Sequence, residues 1–188
     1  MERKLSFAKS LFLGKILDNE IFPYPPLRES ESETLPILIE SVRKFLDEKV
    51  DARKMDQTET TPEEVRKGLG ELGVLGISVP EEFGGFGMSL TAYCRVLEEI
   101  CTTCGATAVF VGGHASIGTK ALVLYANEEQ KQKYLPKIAS GEWVACYALT
   151  EPEAGSDAQA MRSTAVPAGD GEHFILNGSK LWITNGAY

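Results

Sequence analysis

The chain has 188 residues, of which 43% are hydrophobic and 24% charged, with 19 basic residues against 27 acidic ones and a formal charge of −8. That length and composition suit a protein with a core of its own and argue against disorder, a collagen-like repeat or a fold that depends on disulfides. The acidic balance argues against nucleic acid as a partner, because neutralising phosphates takes clustered Lys and Arg.

Four cysteines, Cys94, Cys101, Cys104 and Cys146, do not make a disulfide framework in a chain of this size and point to a reducing compartment. Charges interrupt every long apolar run, so no transmembrane segment is expected. The N-terminus has no signal-peptide core, and Met1-Glu2-Arg3-Lys4 lacks the long Arg/Ser-rich stretch of a transit peptide.

From the N-terminus, Phe7, Leu11, Phe12 and Ile16 have helical spacing over residues 6–15. Ile21-Phe22-Pro23-Tyr24-Pro25-Pro26 reads as extended, since three prolines cannot be accommodated in a helix, and is expected to pack across a helical surface. Leu35, Leu38, Ile39, Val42, Phe45 and Leu46 predict a helix that has Pro36 in its first turn. Thr61-Pro62-Glu63-Glu64 predicts a capping box, opening a helix through Val65, Leu69 and Leu72 that stops at Gly73. A glycine-rich loop, Glu81 to Gly87, follows Ile77-Ser78-Val79-Pro80.

Leu90, Tyr93, Cys94, Leu97, Ile100, Cys101 and Cys104 form one apolar stripe, with Arg95, Glu98, Glu99 and Thr102 opposite. Residues 106–125 are apolar nearly all round and predict a buried central helix, in which Gly112, Gly113 and Gly118 permit close approach of another backbone. Asn127 and Gln130 are placed to cap the next helix, which Pro136 should kink or interrupt before Ser140-Gly141.

The pattern changes near residue 143. Residues 144–150 read as a strand and residues 162–166 as a second. Phe174-Ile175-Leu176, Asn177-Gly178 and Leu181-Trp182-Ile183 read as a hairpin with a type I′ turn. The fold class is therefore α+β. It comprises an N-terminal helix and Pro-rich segment (1–30), a helical domain (31–142) and the start of a β domain (143–188), without internal repeats.

Few motifs carry chemistry by themselves. Cys101 and Cys104 have CxxC spacing but no second ligand pair for a metal and no βαβ context for redox work, so they read as buried thiols on the apolar stripe. His114 reads as a hydrogen-bonded packing histidine, with a place in the wall of a ligand cleft as the alternative. His173 reads as exposed. Gly84-Gly85-Phe86-Gly87 reads as a turn, since it has neither dinucleotide nor Walker spacing.

The residues from Thr150 to Asp157 offer hydroxyls and a glycine after an apolar strand, a setting in which backbone N–H groups and hydroxyls can hold carbonyl edges or phosphate. Trp182 and Thr184 would share one strand face. An aromatic plane beside a hydroxyl suits a flat heteroaromatic cofactor, though a half-buried tryptophan in a β core has the same pattern.

At these residues the sequence resembles the acyl-CoA dehydrogenase family of flavoenzymes. The resemblance rests on residues 147–157, 177–186, 79–87 and 132–142, four segments in the family's order. Residues 6–15 and 21–25 are similar to the very-long-chain subgroup.

The resemblance implies a helical N-terminal domain, a middle β-barrel domain and a C-terminal helical bundle, with FAD between the last two. It implies that Tyr147, Ala148, Leu149 and Thr150 run along the flavin, and that Ser156 meets the pyrophosphate region and the bound acyl-CoA. Trp182, with Ile183 beside it, would lie against the ring, and Thr184 would hold flavin N5. Position 147 departs mildly, since many relatives have Phe there.

The reaction implied is α,β-dehydrogenation of long or very long fatty acyl-CoA in β-oxidation. The electron acceptor would be electron-transfer flavoprotein or a similar protein, and the full-length enzyme would be a homo-oligomer. Family members continue well past Tyr188, and their catalytic glutamate lies in the C-terminal bundle. The chain is therefore expected to be an N-terminal portion, inactive alone, with no catalytic residue of its own, no metal and Glu151 not the base. Alternatives on the same fold are a non-catalytic relative that assembles respiratory complexes and a flavin-dependent oxidase. The expected location is a bacterial cytoplasm, with a mitochondrial matrix or inner-membrane-associated protein as the alternative.

Overall fold

A computed structural model describes residues 6–188, so Met1-Glu2-Arg3-Lys4 lie outside the described residues. The helix near the start is short: α1 (Phe7–Phe12) is capped by the Ser6 hydroxyl and leaves Phe12 and Ile16 exposed. A single turn, α2 (Asp18–Ile21), takes in the first residue of the segment expected to be extended. Beyond it the chain is extended, with a cis Phe22–Pro23 bond. Phe22 and Tyr24 are exposed rather than packed across a helix.

The long helix α3 (Glu31–Lys49) begins earlier than its proline suggested, so Pro36 lies in the second turn. Pro36 and Ser32, whose carbonyl loses its helical partner, both face solvent, where water can take up that carbonyl. Leu35, Leu38, Val42 and Leu46 face inward. Glu31 is buried at the head of the helix. Its carboxylate accepts hydrogen bonds from the N–H and hydroxyl of Ser89 and from the Arg28 N–H. Burial pushes its pKa up, but these donors more than offset that and hold it below the ordinary value.

Helix α4 (Ala52–Thr58) is capped by Asp51. Helix α5 (Glu63–Glu71) starts at Pro62 with no side-chain cap, which corrects the expected capping box. Thr61 is instead buried, and its N–H donates to the Tyr188 hydroxyl at 3.0 Å. The end of α5 is as expected. Gly73 has φ +73°, and Val74 N–H reaches back to the Leu69 carbonyl at 3.0 Å, as in a Schellman motif.

Helix α6 (Leu90–Thr103) packs along α3 and is tied to it by a two-pronged Arg43–Glu99 pair at 2.8 Å. Its buried face is Ala92, Tyr93, Val96 and Ile100. Leu90, Cys94 and Cys101 are exposed. The expected stripe is therefore rotated, and of the CxxC pair only Cys104 is a buried thiol.

Helix α7 (Gly105–Gly112), a π-helical stretch (Gly113–Gly118) and α8 (Thr119–Tyr125) run on as one helix. Contrary to expectation, this 21-residue helix is long and apolar enough to cross a membrane by length and composition, although Lys120 interrupts it. It is also not buried all round: Phe110, Val111 and Ala115 lie in the core, but Val109, Ile117 and Leu124 are exposed.

Helix α9 (Glu128–Ala139) opens with the full Asn127/Gln130 capping box and continues through Pro136. The expected interruption comes only at Ser140, one turn later. Asn127→Ala should cost about 1 kcal/mol, the usual worth of such a cap, readable as a shift in the urea midpoint.

One core cluster joins α3, α5, α6 and α7 with Val74, Leu75 and Ile77. A second holds Val79, Phe83, Leu135 and Ala139, with Leu122 and Val123 packed against it.

Among the described residues the only sheet pairs β1 (Thr164–Pro167) with β2 (Phe174–Asn177), antiparallel, with Thr164 opposite Asn177. This corrects the last expectations in two ways. Phe174–Asn177 pairs backward with the 162–166 candidate, not forward across Asn177-Gly178. Residues 144–150 form no strand among the described residues.

Candidate functional site

The floor of the site is the π-helical stretch, and its geometry follows from small residues. Gly118 lets another backbone cross: a Cβ there would stand 2.7 Å from Ala145 Cβ and 2.9 Å from the Ala145 carbonyl carbon. The segment crossing at that point is 144–150, arriving from the end of α9. The wider turn exposes main-chain carbonyls, and hydroxyls take them up. Thr119 donates to the His114 carbonyl at 2.6 Å, Ser78 to the Ala115 carbonyl at 3.0 Å, and Ser116 to that of Gly112.

His114 is fully buried within this stretch. Its Nδ1 accepts the Ala145 N–H and its Nε2 faces the Ile138 carbonyl, both at 3.1 Å. The proton is therefore on Nε2, which donates. Burial drives its pKa from 6.5 down to about 4. The packing reading of His114 is the one the geometry supports.

A second segment, residues 181–186, lies beside the first. The Leu181 N–H donates to the Thr150 carbonyl at 2.9 Å. Trp182 and Asn185 have φ +56° and +67°, which breaks any strand. Trp182 and Thr184 are thus not neighbours on a strand face, yet both reach one cleft. Asn185 is buried and donates to the Phe110 carbonyl at 2.9 Å and the Ala145 carbonyl at 3.5 Å.

The cleft has a volume of about 250 Å³ and is lined by Gly113, Ile117, Tyr147, Leu149, Trp182 and Thr184. Four of the eight candidate residues therefore meet there. Trp182 is 87% and Tyr147 48% exposed, so two aromatic faces are open to a ligand. Ala148 is exposed and Thr150 and Ile183 are half-buried, all next to lining residues. Ser156 is exposed in the following loop and does not line the cleft.

Glu151 is buried behind this site. Its carboxylate accepts from Lys180 Nζ at 2.8 Å, Arg162 N–H at 2.6 Å and Ser163 N–H at 3.0 Å. The Lys180 ammonium, then the Ser163 and Arg162 donors, pull its pKa down to about 2. Lys180 also donates to the Leu149 carbonyl at 3.1 Å. Glu151 is a fastener between three segments and does not line the cleft.

Sequence reasoning missed Asn185 and Lys180 as parts of the site. A weak signal existed for Asn185, because Asn tolerates positive φ and precedes a glycine. Lys180 had none, since a lysine near a turn is ordinarily solvated.

Known proteins are similar to this chain in sequence and in fold. The acyl-CoA dehydrogenase N-terminal domain matches residues 32–142 and the middle domain of the same family residues 146–188. The human mitochondrial very long-chain specific acyl-CoA dehydrogenase is 44% identical over 182 residues, 96% of this chain and 28% of that protein. The Mycobacterium tuberculosis protein FadE10, named as an acyl-CoA dehydrogenase, is 41% identical over 184 residues, 97% of this chain and 28% of its own length. A crystal structure of acyl-CoA dehydrogenase complexed with FAD from Bacillus anthracis superposes with a TM-score of 0.77 at 40% identity, covering 84% of this chain and 27% of that one. The chain thus spans under a third of the length of these relatives. The helical core with Gly118, residues 146–150 of the crossing segment and residues 181–186 fall inside the matched regions, and on that match the chain belongs to the acyl-CoA dehydrogenase family.

Proposed function

We propose that this chain is the N-terminal part of an FAD-dependent acyl-CoA dehydrogenase. It would carry out α,β-dehydrogenation of long or very long fatty acyl-CoA thioesters in fatty-acid β-oxidation. The observation that carries the reading is the cleft lined by Tyr147, Leu149, Trp182 and Thr184 over a glycine floor, within a chain of this family.

The lining fits a flavin ring. Gly113 puts no side chain into the floor, two aromatic faces flank the space, and the Thr184 hydroxyl supplies a hydrogen-bonding edge. Tyr147, Ala148, Leu149 and Thr150 would run along the ring, Trp182 and Ile183 would cover it, and Thr184 would hold its N5 edge. Ser156, out in the loop, would meet the pyrophosphate region and the acyl-CoA.

A flavin held there would supply the acceptor for the hydride lost from the β carbon. The residues of this chain contribute orientation and exclusion of water. None of them is proposed as the base: Glu151 is paired with Lys180 and two backbone donors and does not line the cleft. A glutamate elsewhere in the longer protein would take the α proton.

The division into a helical domain to residue 142 and a β domain from 143 is part of the same reading. So are a homo-oligomeric enzyme and electron-transfer flavoprotein as acceptor. Mitochondrial and mycobacterial relatives support a mitochondrial matrix or a bacterial cytoplasm.

The test is the full-length protein, purified and given palmitoyl-CoA with an artificial electron acceptor. Bound flavin that is bleached by the thioester, with reduction of the acceptor, is the expected result. A protein without flavin, or with flavin that no acyl-CoA bleaches, would refute the reading.

A further inference from the structure

We infer that His114 is a positioning residue for the cofactor cleft, setting the Tyr147–Leu149 wall through its hydrogen bond to the Ala145 N–H. The inference rests on the flavin reading above and concerns a residue that does not itself line the cleft.

The wall is held by hydrogen bonds at both of its ends. Residues 144–150 have no strand partner among the described residues. Their far end is held by Leu181 N–H on the Thr150 carbonyl and by Lys180 on the Leu149 carbonyl. Their near end is held at Ala145, which is gripped on three sides. His114 Nδ1 accepts its N–H at 3.1 Å, Asn185 donates to its carbonyl at 3.5 Å, and its Cβ rests on Gly118. Tyr147 follows two residues later.

An apolar side chain could fill the His114 site but would leave the Ala145 N–H and the Ile138 carbonyl without this partner. What the imidazole adds is direction. One ring nitrogen is fixed to the end of α9 through Ile138 and the other to the start of the wall, so a rigid plate sets the distance between them. The π-helical backbone that carries it is itself pinned by Ser78 and Thr119.

Two substitutions in the full-length flavoprotein separate this role from simple packing. An asparagine places its carbonyl near the position of Nδ1, so His114→Asn keeps an acceptor for Ala145 and gives up Ile138. A glutamine places its amide near Nε2, so His114→Gln keeps Ile138 and strands the Ala145 N–H. The expected result is that both variants lose thermal stability, but only His114→Gln weakens FAD binding, by about tenfold, the scale of one buried hydrogen bond. Its visible flavin absorption bands shift as well, while His114→Asn stays within about threefold of wild type.

Equal FAD affinity and spectra in both variants, or losses that simply follow stability, would overturn the proposal. Hydrogen exchange on the wild type tests it without a variant: the Ala145 amide should be protected before FAD is added, and protection that appears only with FAD would count against pre-setting. If the wild type binds no FAD, the functional reading fails and this one with it; if it binds FAD and the two variants do not differ, only this one fails.

Discussion

Gly118→Val is expected to destabilise the protein by about 3 kcal/mol, the upper range for overpacking a tight site, and to strip most of its flavin. The contact that fails is with main chain. An added Cβ meets Ala145 Cβ at 2.7 Å, its carbonyl carbon at 2.9 Å and the Cys146 nitrogen at 3.0 Å, and backbone atoms cannot rotate aside as a side chain would. The helix gains something in return, since a glycine inside a helix costs up to about 1 kcal/mol relative to alanine, but the added branches outweigh it.

Displacing Ala145 also pulls its N–H off His114, so the cleft wall moves with it. Gly105→Ala is the matched control, because nothing lies within 4 Å of a Cβ there. It should be neutral or slightly stabilising. Urea unfolding and flavin-to-protein ratios check both variants, and a Gly118→Val protein with wild-type stability and full flavin would show that the crossing is loose.

The second large effect is acid sensitivity well above the carboxylate range. Folded His114 has a pKa of about 4, and an unfolded histidine titrates near 6.5. The folded state therefore keeps the ring neutral while the unfolded chain gains a proton. Stability from this group is complete above pH 6.5 and is lost as pH falls from 6.5 through 4, about 3 kcal/mol in all. About 2 kcal/mol of that is gone by pH 5.

Glu151 acts lower down. Its pKa of about 2 against an ordinary 4.5 means that its contribution holds above 4.5 and fades below. Between pH 6.5 and 4.5 the histidine dominates. Denaturation midpoints at pH 7 and pH 5 should therefore fall steeply for wild type and much less for His114→Asn. A wild-type protein equally stable at both values would refute the assignment.

The helical half was legible because its signals are local. The Asn127/Gln130 box, the Gly73 stop and the Leu35 to Leu46 face each depend on a few neighbouring residues. Helix α6 shows where periodicity gives out. Leu90, Cys94 and Cys101 are as apolar as Ala92 and Val96, and only packing against α3 decides that the second set is buried. Two of the strands were found, but their pairing was misread for a different reason. A strand exists by virtue of its partner, and sequence alone could not say that Phe174–Asn177 pairs with Thr164–Pro167 or that Trp182 turns to positive φ. The cleft residues were found through motifs, whereas their fasteners, Asn185 and Lys180, are long-range partners with no local mark.

The π-helical stretch has a consequence for how one helix serves two cores. Phe110, Val111 and Ala115 belong to the larger cluster, while Leu122 and Val123, beyond the stretch, pack on the smaller one. A regular helix turns about 100° per residue, and each π turn takes in one residue more than an α turn. The stretch therefore acts as a phase adjuster, resetting which face of α8 looks inward relative to α7. Deleting a single residue between Gly113 and Gly118 would leave a better helix and a worse protein, with one cluster or the other facing the wrong side chains.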